Sequence, residues 1–131
     1  MATWEDVRRI ALGLPETSEQ PLHGLMSWRV RDKLFVWERP LRRSDLAALG
    51  DDAPEGPILG VRVEHLGAKE ALLADDPAVF FTTPHFDGYP AVLVLLDVIA
   101  VDELEAVTVD AWLARAPKRV AQAFLEARGI Q

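Results

Sequence analysis

The segment 82–90 (TTPHFDGYP) holds the densest group of side chains in this sequence that could do chemistry. His85 stands two residues before Asp87, and a carboxylate there can orient an imidazole so that it acts as a general base. Tyr89 follows two residues later. The alternative interpretation is a structural loop, because Asp87-Gly88 is a turn dipeptide and aromatic rings can be buried beneath a loop. No nucleophile motif accompanies the histidine, so the sequence specifies no reaction.

Two adjacent cations, Lys118 and Arg119, fall in the first turn of a predicted helix that begins near Pro117. The helix dipole disfavours positive charge at that end, whereas an anion there is bound by free backbone N–H groups. A phosphate or carboxylate docked between the two side chains would explain their position. Alternatively, both side chains point into water or pair with acidic residues elsewhere in the chain.

A second basic group lies in and just after a predicted β-hairpin and consists of Arg29, Arg31, Lys33, Arg39, Arg42 and Arg43. Alternate residues of a strand point to opposite faces, so Arg29 and Arg31 share one face while Trp28 takes the other. The aromatic residues of the hairpin are therefore expected in the core rather than stacked on nucleic-acid bases. The hairpin cations could nonetheless reach the phosphates of DNA.

Three histidines, His23, His65 and His85, could supply metal ligands together with Asp87. Their spacing matches no zinc or calcium motif, and the chain has no cysteine. We therefore expect no metal and no cofactor, with the histidines hydrogen-bonded to the backbone or exposed to solvent.

The overall charge argues against a uniformly basic nucleic-acid-binding protein. The 131 residues include 14 Lys and Arg against 21 Asp and Glu, a formal net charge of −7. The charges are segregated, since residues 44–110 carry a net −12 while residues 1–43 carry +2 and residues 111–131 carry +3. The two basic ends could fold together into a local anion-binding face, or the charges could be spread over the surface.

The pattern of apolar residues predicts helices at both ends and strands between them. A Thr3–Asp6 capping box starts the first helix, which ends at 13–15, and residues 16–24 read as a polar loop. The other elements are predicted as strands 26–30 and 34–39 joined by a turn at 32–33, a short helix capped by Ser44 and running to 49, strand 58–64, helix 65–74, a central strand 91–96, a helix from Asp102 with Glu105 completing a capping box, and a last helix ending at Gly129. The last two helices each have an apolar stripe that is predicted to be buried, formed by Leu104, Val107, Ala111 and Trp112 in the first and by Val120, Ala123, Phe124 and Ala127 in the second.

These elements predict an α+β fold in which an antiparallel sheet of about four to five strands is backed by the N-terminal and C-terminal helices. A chain of this length forms one domain, here residues 1–131. The longest strongly apolar run, 91–96, is far shorter than the roughly 20 residues that span a membrane. Charged residues near the N-terminus leave no apolar region for a signal peptide, so we expect a cytoplasmic protein.

Several segments together resemble the MmcQ/YjbR-like family over nearly the whole chain. The most specific is TPHFDGYP at 83–90, and the others are the helix end LPE at 14–16, the strands SWRV at 27–30 and LFVW at 34–37, and AW…APKR at 111–119. The resemblance implies a compact α+β domain similar to the CyaY/frataxin-like or "double-wing" arrangement. It also implies DNA binding, which would fall on Arg29, Arg31, Lys33, Lys118 and Arg119. The acidic segment 44–110 departs from what DNA binding requires.

Two hypotheses follow. In the first, the chain is a non-catalytic binding domain whose partner is DNA. In the second, it is a pocket protein in which His85, Asp87 and Tyr89, with Lys118 or Arg119, hold a small anionic ligand. An enzyme acting through His85 and Asp87 alone is a third alternative. The sequence leaves the identity of the ligand and the oligomeric state open.

Overall fold

The computed structural model describes residues 1–129. Its helices are α1 (Trp4–Leu12), α2 (Arg43–Leu49), α3 (Leu66–Asp75), α4 (Val101–Arg115) and α5 (Lys118–Ala127), and short 3₁₀ turns cover Gly50–Asp52 and Pro84–Phe86. Its strands are β1 (Thr17–Leu22), β2 (Leu25–Val30), β3 (Lys33–Glu38), β4 (Ile58–Arg62), β5 (Phe80–Phe81) and β6 (Ala91–Leu95). The strands form one antiparallel sheet in the order β1-β2-β3-β4-β6-β5. The α+β class is thus confirmed.

The sheet has six strands, so the predicted four to five was too low. The first missed strand is β1, which occupies the predicted loop 16–24 and pairs with β2 along its whole length. Its sequence is mostly polar because it is an edge strand and much of it faces solvent. The second is β5, which has only two residues and pairs with β6. Neither has the alternating apolar pattern from which strands are recognised.

Two-residue turns join the first three strands. His23 and Gly24 link β1 to β2 with φ values of 52° and 81°. Arg31 and Asp32 link β2 to β3 with φ values of 45° and 68°, so the predicted turn at 32–33 was one residue too late. Two successive positive φ values give the backbone twist that suits a tight hairpin, although only glycine adopts them without strain.

The larger core lies between one face of the sheet and the helices. Its largest fully buried side chains include Trp28 from β2 and Trp112 from α4. The indole of Trp112 donates a hydrogen bond of 3.0 Å to the carbonyl of Pro15, which ties α4 to the segment after α1. The predicted buried stripe of α4 is confirmed at Leu104, Val107, Ala111 and Trp112. The inward residues of α5 are Val120, Ala121 and Phe124, whereas Ala123 and Ala127, which were predicted inward, are exposed.

The smaller core lies on the opposite face of the sheet and is covered by α2 and the segment 82–90. Its buried members are Trp37, Ile58, Phe86, Ala91 and Leu93. Strands β4 and β6 therefore have apolar side chains on both faces, which confirms the prediction of a central strand at β6.

A β-bulge in β3 decides which face Trp37 occupies. Trp28 pairs with Val36 and Arg29 pairs with Leu34, so Phe35 has no partner across the strands. Phe35 and Val36 are both fully buried in the larger core, and Trp37 projects to the opposite face. The extra residue thus places an indole on the face where the site described below lies.

Some of the helix starts lie where the sequence predicted them, and others do not. The capping box of Thr3 and Asp6 is present in α1. The prediction that Ser44 caps the short helix was wrong, since the N-cap of α2 is Arg42 and Ser44 lies in its first turn. The carboxylate of Asp45 accepts a 2.8 Å bond from the Arg42 backbone N–H and so holds this earlier start. The start of α4 is preceded by Ala100 without a side-chain cap, so the predicted capping box there was wrong. Between residues 1 and 129, no helix is long and apolar enough to cross a membrane.

Candidate functional site

The segment 82–90 folds into successive tight turns on the face of the smaller core. Backbone N–H groups of Phe86, Asp87 and Tyr89 each donate to the carbonyl three residues earlier, at 2.9, 3.1 and 3.0 Å. Gly88 has a φ of 73°, which glycine adopts without steric cost. Local hydrogen bonds therefore fix the backbone, while the side chains of His85, Asp87 and Tyr89 stay exposed.

Lys69 of α3 fastens this segment to the rest of the fold. Its side chain is only 6% exposed, and its Nζ donates to the carbonyls of Phe86 at 2.6 Å and Tyr89 at 2.9 Å. Burial lowers the pKa of Lys69, and the negative charge of Asp87 offsets part of that effect. The buried ammonium group of Lys69 bonds to two carbonyls of the segment 82–90 and therefore holds this segment in one conformation.

Replacing Lys69 with methionine is expected to lower the free energy of unfolding by about 1–3 kcal/mol, since two backbone carbonyls lose their partner. Urea denaturation of both proteins measures the difference, and amide hydrogen exchange at residues 86–89 should accelerate in the variant. Lys33→Met is the matched control because Lys33 is exposed. Equal stabilities for the two variants would show that Lys69 does not anchor the segment.

A cleft of about 560 Å³ opens between the segment 82–90, the β1–β2 turn and β3. Its walls include three aromatic rings, with centroids 6.5 Å apart for Trp37 and Phe86 and 6.2 Å apart for Phe86 and Tyr89. The imidazole of His85 packs edge-on against the Phe86 ring at 5.0 Å. Aromatic rings spaced in this way present flat apolar surface to a small molecule.

The indole of Trp37 is placed by the strand beside it. Trp37 pairs with Gly60 of β4, and its ring lies directly over the glycine, where a Cβ would overlap the indole. Any other residue at this position would displace the ring. The missing side chain of Gly60 therefore leaves the space that the Trp37 indole occupies beside the cleft.

A buried ion pair adjoins the cleft. The guanidinium of Arg39 lies 3.0 Å from the carboxylate of Asp45, and the two side chains are 5% and 2% exposed. Burial alone would raise the pKa of Asp45, but the hydrogen bond from the Arg42 N–H and the ion pair with Arg39 outweigh it and hold the pKa below its ordinary value. Arg39 also lies 5.1 Å from the centroid of the Phe86 ring. The pair thus connects α2, β3 and the segment 82–90.

Arg39 still has an unused donor. Its Nη1 also donates to the Pro40 carbonyl at 2.6 Å, whereas its buried Nη2 has no hydrogen-bond partner. A buried donor without a partner costs free energy, so an acceptor brought to this nitrogen would stabilise the site. The sequence analysis placed Arg39 in the second basic group but missed its pairing with Asp45, because nothing local marks two residues six positions apart as a buried pair.

The structure brings some of the predicted site residues together. His85, Asp87 and Tyr89 all line the cleft, but no side-chain hydrogen bond between His85 and Asp87 occurs within residues 1–129. Lys118 and Arg119 lie in the exposed first turn of α5 and are not among the cleft's lining residues. The basic residues that line the cleft are instead Arg39, Arg42, His23 and His85.

Two of the hairpin residues predicted to contact DNA already interact with other parts of the chain. Arg31 forms a two-pronged ion pair with Glu16, whose hydrogen bond and charge raise the pKa of the arginine. Arg29 reaches the carbonyl of Asp32 at 3.4 Å, and Lys33 is exposed. His65, predicted to bond with the backbone, accepts from the Ala68 N–H at 3.0 Å and so caps α3.

A second cleft, of about 910 Å³, lies between α3, α4 and α5. It is walled mainly by aliphatic residues such as Leu72, Val107 and Leu125, and its polar lining includes Arg62, Glu64, Asp75 and Asp110. None of the residues predicted from the sequence to form a site lines it. Across the described part of the chain, no group of three or more His, Asp or Glu is arranged to hold a metal ion.

Comparisons with known proteins identify relatives of this chain. Residues 12–114 match the family model described as YjbR. The chain is 58% identical over 132 residues to the uncharacterised proteins Rv2570 of Mycobacterium tuberculosis and Mb2600 of Mycobacterium bovis, with 98% of this chain and 100% of each relative covered. The crystal structure of Deinococcus radiodurans protein DR2400, of family domain DUF419, has a TM-score of 0.66, 17% identity, and coverage of 100% of this chain and 91% of that one. The likeness to DR2400 shows the fold alone.

Proposed function

This chain belongs to the YjbR family, and from that premise we propose that it is a non-catalytic binding protein whose cleft takes a small organic acid with a flat, apolar body. The observation that carries the proposal is the combination, in one cleft, of the rings of Trp37, Phe86 and Tyr89 with the cationic and imidazole groups of Arg42, His23 and His85.

The aromatic walls select the body of the ligand. Tyr89 is 41% exposed, so much of its ring is free to contact a guest, and Trp37 and Phe86 are buried and held in place. Each aromatic pair contributes about 0.5–1.5 kcal/mol beyond area burial. A planar ligand that lies against this aromatic wall is favoured over a saturated one of equal volume.

The rim selects the acidic group. Arg42 is exposed and its guanidinium can bind a carboxylate through two parallel hydrogen bonds. His23 and His85 can donate further hydrogen bonds from the same lining. Of the two carboxylates in the cleft, Glu38 already accepts from the Met26 backbone N–H at 2.8 Å, which leaves Asp87 to accept from a polar hydrogen of the ligand.

The groups in the cleft favour binding over catalysis and over DNA. The described side-chain hydrogen bonds include no serine or threonine bonded to His85. For DNA, Arg31 is neutralised by Glu16, and the net charge of −7 opposes a polyanion. DNA binding through Arg29, Lys33, Lys118 and Arg119 is accordingly the second candidate, which the resemblance alone supports.

Three probes of matched size test the cleft: 2-naphthoate, 2-naphthylmethylamine and the saturated decahydro-2-naphthoate. We expect 2-naphthoate to quench tryptophan fluorescence saturably and to raise the melting temperature, with weaker effects from the cationic and the saturated probe. Arg42→Gln should weaken 2-naphthoate binding about tenfold or more, since a charged hydrogen bond contributes about 1.5–3 kcal/mol. Tyr89→Ala should also weaken it.

The control is Arg119→Gln, which removes an exposed cation outside the cleft and should leave the dissociation constant unchanged. Equal affinity for the three probes, or an undiminished affinity in Arg42→Gln and Tyr89→Ala, would refute the cleft as the binding site. In parallel, duplex DNA is titrated by fluorescence anisotropy at 50 and 200 mM salt. Tight, strongly salt-dependent binding that Lys33→Gln and Arg119→Gln weaken would favour DNA instead.

A further inference from the structure

The second cleft, between α3, α4 and α5, has walls of half-buried aliphatic side chains. Those that the three helices contribute include Ala68, Leu72, Leu113, Ala121 and Leu125. Helix α5 has an apolar face, yet none of its ten residues is fully buried. The helices therefore leave apolar surface uncovered in this cleft, and the hydrophobic effect would hold a guest that covered it.

The polar lining of the second cleft is acidic. It contains three carboxylates, those of Glu64, Asp75 and Asp110, and one cation, Arg62. The guanidinium of Arg62 donates to the Tyr89 hydroxyl at 2.9 Å and lies 4.9 Å from the centroid of the Tyr89 ring. No ion pair within residues 1–129 joins Arg62 to a carboxylate. The lining thus carries more negative charge than positive charge.

The three carboxylates have no cationic side chain as a partner in the described part of the chain. Its ion pairs include neither Asp75 nor Asp110, and Glu64 has only the imidazole of His65, at 4.0 Å. The Nδ1 of His65 accepts from the Ala68 N–H, so in this arrangement the ring is neutral and adds no positive charge.

Two of these carboxylates are also in positions that disfavour a negative charge. Asp75 is the last residue of α3, the end at which the helix dipole is negative, and the last turn of α3 contains no basic residue. Burial raises the pKa of Asp110, and the negative charge of Glu64 raises it further. A cation bound in the cleft would stabilise both ionised groups.

We propose that the second cleft binds an aliphatic amine, whose chain lies against the leucine and alanine side chains and whose ammonium group lies among the three carboxylates. An ammonium group has three N–H donors and no acceptor, which suits carboxylate oxygens. A cleft of about 910 Å³ is large enough for a small organic molecule. The same chemistry occurs in a long-chain monoamine and in a polyamine.

The proposal does not rest on the cleft of the proposed function, because the two clefts have no lining residue in common within residues 1–129. Leucine side chains line both and can report on each separately. Those of the aromatic cleft are Leu22, Leu25 and Leu34, and those of the second cleft are Leu72, Leu113 and Leu125.

The test is a titration of the protein, labelled with ¹³C in its leucine methyl groups, with octylamine, octanoate, butylamine and 1,8-diaminooctane at pH 7 and constant ionic strength. We expect octylamine to shift the methyl resonances of Leu72, Leu113 and Leu125 saturably and to leave those of the aromatic cleft unchanged. Octanoate has the same chain with the opposite charge and should bind more weakly. Butylamine should bind about tenfold more weakly or worse, since each buried methylene group strengthens binding about fourfold.

Two variants of the second cleft have matched controls. Ala71→Phe fills the cleft from an exposed position of α3 and should prevent octylamine binding, whereas Ala106→Phe, at an exposed position of α4 outside the lining, should not. Asp110→Asn should weaken binding about threefold or more, and Glu105→Gln, which removes an exposed carboxylate of α4 outside the lining, should not. Neither cleft variant should alter 2-naphthoate binding, so failure of this proposal can be told apart from failure of the proposed function.

Equal affinities for octylamine and octanoate, or shifts that do not saturate, would overturn the proposal. So would a dissociation constant for octylamine that is the same in Ala71→Phe and Ala106→Phe. A dimer, measured by light scattering, that the wild-type protein forms and Ala71→Phe does not would also overturn it, since a second copy would then cover the cleft. Tighter binding of a helical peptide of leucine and lysine at the same methyl groups would assign the cleft to a protein partner instead.

The diamine identifies the kind of amine. Tighter binding of 1,8-diaminooctane than of octylamine would support the proposal and identify a polyamine as the ligand class. Weaker binding of the diamine would support it and identify a monoamine with a free alkyl end.

Discussion

Replacing Asp45 with alanine is expected to lower the free energy of unfolding by about 3–5 kcal/mol, the usual cost of removing one partner from a buried ion pair. The Arg39 guanidinium would remain buried without its counter-charge, because the two side chains are only 5% and 2% exposed. The variant also removes the acceptor of the Arg42 N–H at the start of α2. Urea denaturation at neutral pH measures the loss.

The control is Glu16→Ala, which breaks the exposed ion pair with Arg31 and should cost no more than about 1 kcal/mol. In the double variant Arg39→Met with Asp45→Leu, apolar side chains fill the same space and most of the lost stability should return. A single variant as stable as Glu16→Ala would mean that water reaches Arg39 and solvates its charge.

Acid should reduce the difference between the wild-type protein and Asp45→Ala. The pKa of Asp45 is below its ordinary value of 3.8 in the folded protein, so ionisation of this carboxylate favours the folded state. That contribution is fully present above 3.8 and is lost as the pH falls through the lowered pKa. Denaturation curves that stay equally far apart below this range would contradict the assigned role.

Replacing Gly60 with alanine is expected to destabilise the fold by about 1–3 kcal/mol, the cost of overpacking a filled core. A Cβ at this position overlaps the indole of Trp37, and both neighbouring strands are fixed by their pairing. The ring has to shift toward the cleft. We therefore expect Gly60→Ala to lose 2-naphthoate binding as well as stability, measured by denaturation and by fluorescence quenching.

A double-mutant cycle checks the cause. In a Trp37→Leu background the indole is absent, so the added methyl group of Gly60→Ala should cost little, and the coupling energy between the two positions should be about 1 kcal/mol or more. Additive effects would show that the glycine is needed for the strand backbone rather than for the ring.

The parts of the fold with a strong apolar pattern could be predicted from the sequence. The stripe of α4 recurs at helical spacing and the run of β6 is continuously apolar, and both are buried as expected. Strands β1 and β5 were missed because one is mostly polar and the other is very short. Their places in the sheet depend on pairing with β2 and β6, which a local pattern does not encode.

The candidate site, like the fold, could be predicted only in part from the sequence. The segment 82–90 was recognisable because its reactive side chains are adjacent in the sequence. The supporting residues were not, since Lys69 lies 17 residues before the Phe86 carbonyl that it binds, and Arg62 lies 27 residues before the Tyr89 hydroxyl to which it donates. A cation's role at such a site depends on which chain segments fold next to it.

The two edges of the sheet bear on whether copies of this chain can join strand to strand. An edge strand leaves a row of unpaired N–H and C=O groups that another chain can extend. Here one edge is β1, where Pro21 lacks an N–H and the side chains are mostly polar, and the other is β5, with only two residues. Neither offers the long, flat, apolar template from which amyloid-like stacking begins, so the fold carries its own protection against polymerisation through its sheet.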